Sequence, residues 1–129
     1  MSSIGLEEEI QVGNEVVLSS DSPTAGYGVV FEDEGTVGYL YAVEFSGEHA
    51  GIVDAMHIYN VSSIVDRDRP STIQIVWSDD GLKAALLIND YPHAVFDFVN
   101  HRGFCRTNFP SPGPNWTRHE WSDQAFEDF

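Results

Sequence analysis

His93, Asp97 and His101 are spaced four and four, a pattern that gathers three metal ligands on one face of a helix. The residues between them argue against a helix. Ala94, Val95, Phe96, Phe98 and Val99 are mostly strand formers, and Pro92 and Gly103 bracket a strand-length run. Four residues of extended chain span about 13 Å, so the three side chains cannot close on one ion. They read as polar-face residues and a turn histidine, and no metal site is expected.

Other groups carry possible chemistry. His57 stands in the β-prone run Met56-His57-Ile58-Tyr59-Asn60, where a histidine is usually a hydrogen-bonded structural residue. It becomes an acid–base group only if another segment brings a carboxylate to it. Asp66-Arg67-Asp68-Arg69 alternates in sign. In extended chain the carboxylates would point one way and the guanidinium groups the other. Local ion pairing is the plain reading, and bidentate capture of a carboxylate or phosphate by Arg67 and Arg69 is the functional one. Cys105 lies beside Arg106 and near Arg102, and cations lower a thiol pKa. Its β-like surroundings make a small buried residue the simpler account. An enzyme built from these parts would need His57, His93, Asp97 and Arg106 in one pocket with Trp77 or Trp116.

The elements that must position these residues read as strands. Tyr27–Phe31, Tyr39–Phe45 and Thr72–Trp77 are apolar or alternating runs, and Tyr39, Tyr41 and Val43 share one face. Glu32-Asp33-Glu34-Gly35, Asp79-Asp80-Gly81, Asn89-Asp90 and Asn100–Gly103 are turn signals. Ala84–Ile88, Ala94–Phe98 and Phe104–Phe109 follow at roughly ten-residue spacing. The spacing predicts an all-β, mainly antiparallel meander that closes as a barrel or folds as a sandwich. Thr117 and Glu120 have capping-box spacing, and Trp121, Ala125 and Phe129 recur every four residues. They predict a short C-terminal helix covering one end of the sheet. Glu7, Glu8 and Glu9 repel one another, so residues 1–9 are expected to be a flexible acidic lead-in to a single domain over residues 10–129.

Composition narrows the function classes. A chain of 129 residues can bury a core without a staple, and its one cysteine forms no internal disulfide. There is no basic, apolar leader and no run of about 18 apolar residues, so a cytoplasmic location is expected. Glycine-rich phosphate loops, a nucleophile elbow and a zinc-protease helix are all absent, and no cofactor is expected. The net charge is -15, and no Lys or Arg precedes Arg67. Twelve carboxylates fall in residues 1–66, while residues 67–129 sum to about -3. Such a field repels nucleic acid and anionic membranes and attracts a basic protein. Solubility alone, or a saline habitat, would also produce it.

Several segments together form a recognisable pattern. They are FEDEGTVGYLYA (31–42), VDAMHIYNV (53–61), the Asp66-Arg67-Asp68 step, IVWSDDGLKAALLINDYPHAVFDF (75–98) and GFCRTNFP (103–110). The pattern resembles the bacterial domain-of-unknown-function family 2251 over roughly residues 26–123. The resemblance implies a bacterial source and one domain, and it carries no functional residue onto this chain. Because the scattered polar positions make no local catalytic signature and the acidic half offers a surface for a basic protein, the expected function is a non-enzymatic acidic binding or regulatory module, in its sharpest form an immunity-like inhibitor of a basic protein. The alternatives are the small enzyme above and a self-associating scaffold docking through Trp116, Trp121, Phe126 and Phe129. Composition leaves the oligomeric state open.

Overall fold

The computed structural model describes every residue except Met1, His49, Asn108, Phe109 and Asp128. Two sheets enclose one core, and neither closes into a barrel. The first contains β1 (Ser3–Gln11), β6 (Pro70–Trp77), β7 (Lys83–Ile88), β8 (Tyr91–Asp97), β9 (Arg102–Cys105) and β10 (Thr117–Glu120), in that spatial order. The second contains β2 (Val16–Asp21), β3 (Tyr27–Asp33), β4 (Val37–Glu44) and β5 (Gly51–Asn60), a plain antiparallel meander.

The turns follow from residues that tolerate positive φ. Gly81 sits at φ 72° in the β6–β7 hairpin, where the Asp80 carboxylate accepts from the Ser78 hydroxyl and the Leu82 amide. Asn89 and Asp90 both take positive φ, the backbone of the tight turn that joins β7 to β8. At the β3–β4 turn, Asp33 caps the Gly35 amide and reaches across to the Gly13 amide, both at 2.8 Å.

Alternation then sends one side of each strand inward. Val29, Phe31, Leu40, Ala42, Met56 and Ile58 face Ile73, Ile75, Trp77, Leu86, Phe96 and Phe98. Tyr27 stacks on Phe98 with ring centres 4.6 Å apart, and Trp77 Nε1 donates to Ser20 Oγ at 3.0 Å. These contacts join the sheets.

Four expectations need correction. Ser3–Gln11 is a paired edge strand, not a frayed lead-in, because Leu6 and Ile10 reach the core while its backbone bonds β6. Thr117–Glu120 is a strand parallel to β9, not a helix cap; the Thr117 amide bonds His101 O at 2.9 Å. The helix is only α1 (Gln124–Glu127), which packs on β8. The Asp66–Asp68 segment is a turn rather than extended chain, which removes the two-sided arrangement of its charges. The expected Phe104–Phe109 strand ends at Cys105, and its last two residues lie outside the described ones. No described helix is long and apolar enough to cross a membrane.

Candidate functional site

A cleft of about 370 Å³ opens at one end of the sandwich. Val12, Tyr59, Ile64, Ser71, Ile88 and His93 are among the residues that line it. Burial, helped by the Arg106 charge, pushes the His93 imidazole down to about 4. The ring is therefore neutral at neutral pH and a weak proton acceptor, far from the value that suits a general base there. The Tyr59 hydroxyl donates to Asp33 Oδ2 at 2.7 Å, and burial holds this phenol well above its usual value. The Tyr59 hydroxyl of the cleft is thus tied up in the fold.

The other candidates lie elsewhere. Asp97 has a 2% exposed carboxylate at the end of β8. Burial raises its pKa, but hydrogen bonds from Asn100 and Arg102 outweigh burial and hold it low. It accepts from the Val99 and Asn100 amides, from Asn100 Nδ2 and from Arg102 Nη2 at 2.9–3.1 Å, so it is the cap of the β8–β9 turn. Arg106 binds the Pro92 carbonyl and lies between the Tyr91 and Trp121 rings, 4.3 and 4.7 Å from their centres. It fastens the C-terminal segment to β8. Trp77 and Trp116 are core residues, the latter edge-on to Phe96 and Phe98 and stacked on His101. Trp116 is therefore no part of an external docking face. Cys105 is buried, with its Sγ 3.3 Å from the Thr107 hydroxyl. Arg67 lines a shallow cleft with Ser62, Ile64 and Asp68, and Arg69 is exposed.

The cleft that holds His93 contains neither His57 nor Asp97, so the structure does not assemble the enzyme site sketched from sequence. Among the described residues no three His, Cys, Asp or Glu side chains are grouped to hold a metal ion.

His57 instead belongs to the outer face of the four-stranded sheet. One cross-strand row there is Val17, Glu32, Tyr39 and His57, and the next is Ser19, Val30, Tyr41 and Ala55. Tyr39 and Tyr41 stack with ring centres 5.9 Å apart, His57 meets Tyr39 edge-on, and the Tyr41 hydroxyl donates to Glu32 at 3.0 Å. Burial and that hydrogen bond push the Tyr41 phenol up to about 12, so it stays neutral. The sequence contains the alternation of Tyr39, Tyr41 and Val43. It does not say which side of the sheet faces the core.

Sequence reasoning also missed Arg118. Its side chain is 4% exposed and makes a two-pronged bond to the fully buried Asp54 carboxylate at 2.6 and 2.8 Å. The signal was faint: a single cation near the chain end and a lone carboxylate in a strand 64 residues away.

Comparison with known proteins assigns no activity. Over 130 residues the chain is 36% identical to a Haemophilus influenzae protein named "Uncharacterized protein", covering 98% of this chain and 81% of that one. No solved structure matches this chain. Residues 10–129 match the family described as "Uncharacterized protein conserved in bacteria (DUF2251)", and the chain belongs to that family.

Proposed function

We propose that the protein is a non-enzymatic binding module of the bacterial cytoplasm that recognises a basic protein. The observation behind this reading is how the charge is distributed over the fold. Residues 1–66, which include all of β1–β5, carry twelve carboxylates and neither Lys nor Arg. One whole sheet and the edge strand of the other therefore present charge of one sign. Solubility requires net charge but not the exclusion of every Lys and Arg from five consecutive strands. A one-signed surface speeds encounter with a cationic partner, and that rate falls as salt screens it.

Affinity capture on the immobilised full chain at about 20 mM and about 300 mM salt tests the reading. The expected result is a basic protein retained at low salt whose purified form binds with an association rate that drops at least tenfold at high salt. Recovery only of neutral or acidic proteins, or of none at low salt, would overturn it.

A further inference from the structure

We infer that the outer face of the four-stranded sheet is the docking surface for the basic partner, and that arginine side chains of that partner lie on Tyr39 and Tyr41 and pair with Glu32. The inference rests on the binding-module reading above and adds the place and the chemistry.

Among the described residues, no helix or strand packs over this face. The other sheet is covered differently: α1 packs on β8, and Val76, Ala85 and Val95 on its outer side are buried. On the open face the half-buried Tyr39 and Tyr41 lie on the inner strand β4 with half-buried Val30 across from Tyr41, while Val17 (63% exposed) and Ile52 (65% exposed) stand on the two edge strands. Aromatic rings with a polar rim are enriched at recognition surfaces.

Charge selects the occupant. Strands β2–β5 contain no Lys or Arg, while Asp21 is exposed at one side of the face and Glu32 lies within it, bonded to Tyr41. An apolar partner would strip water from Glu32 without replacing its stabilisation, which is unfavourable for any buried carboxylate. A second copy docking by the same face would bring carboxylates and no cation. A partner bearing arginine meets both demands, because a planar guanidinium stacks on a phenol ring and also forks to a carboxylate. The chain already uses the stacking half of this chemistry in Arg106, held 4.3 Å from the Tyr91 ring centre.

The test is a titration of the isotope-labelled full chain with a synthetic ten-residue peptide of alternating arginine and threonine, followed by amide chemical shifts. Shifts should concentrate on β2–β4 around Val17, Val30, Tyr39 and Tyr41. The paired change Tyr39→Ala, Tyr41→Ala should weaken binding at least tenfold, and so should Glu32→Lys, which keeps both rings. Each variant should retain the wild-type amide spectrum away from the substitutions. The triple change Glu7→Gln, Glu8→Gln, Glu9→Gln on β1 removes more charge but should weaken binding less than threefold. If the β1 variant loses as much as the tyrosine variant, or the shifts spread evenly over acidic residues, the location is overturned while the basic-partner reading stands. Absence of any peptide binding at low salt overturns both. Concentration-dependent dimerisation that disappears in the tyrosine variant assigns the face to a second copy and also overturns the inference.

Discussion

At the scale of single residues, the least replaceable interaction is the one between Arg118 and Asp54. The guanidinium also donates to the Ala55 and Pro110 carbonyls, and the carboxylate accepts from the Gly113 amide. A charge pair this buried contributes little relative to a well-packed apolar pair, but losing one partner is severe. Arg118→Met would leave the Asp54 carboxylate in the interior without a counter-charge. We expect a loss of about 3–5 kcal/mol in urea denaturation. Combining it with Asp54→Asn should recover part of that loss, since the stranded charge is gone. A single variant within 1 kcal/mol of wild type would show that water reaches the site. Because Asp54 lies on β5 and Arg118 on β10, the pair also fixes an edge strand of the open sheet against the other sheet.

Among the elements, β1 separates the sequence reading from the structure most sharply. Three consecutive glutamates are a poor advertisement for a strand. The determinant is non-local: β6 offers an unpaired edge, Gln74 Nε2 meets Glu7 at 2.6 Å, and Leu6 and Ile10 find the core. Gly5 sits at the irregularity in that pairing, where a side chain would run into Ser20 Oγ and the Trp77 ring. Gly5→Val is therefore expected to cost about 1–3 kcal/mol by overpacking, measured by thermal unfolding. A frayed lead-in would show no change. The hairpins at Asp79–Gly81 and Asn89–Asp90 were legible because their backbone angles admit few residue types. β10 was not, because capping-box spacing at Thr117 and Glu120 arises by chance and its true partner, β9, lies 15 residues earlier. The tyrosine face was half legible: alternation is local, but its outward orientation depends on which strands pair. Asp97 was read as a possible catalytic group because its environment of turn amides is invisible without the fold.

For the molecule as a whole, the charge that would draw a basic partner also works against the folded state. With a net charge of -15 and one sheet free of cations, folding brings like charges together that the unfolded chain keeps apart. The screening length falls from about 30 Å at 0.01 M salt to about 3 Å at 1 M. Raising salt should therefore stabilise the free protein, and each 1 kcal/mol of relieved repulsion should raise Tm by about 4 °C in a domain of this size. The same salt should weaken a cationic partner, whose stabilising effect depends on its affinity for the folded chain. The two trends have opposite signs. In melts from about 10 mM to 500 mM sodium chloride, Tm of the free chain should climb while the extra Tm conferred by the basic partner shrinks towards zero. A free-chain Tm that is flat across this range would mean that the carboxylates are too far apart to repel. They would then also be too sparse to steer a partner. A partner-induced increment that survives high salt would move the recognition from charge to the apolar part of the surface.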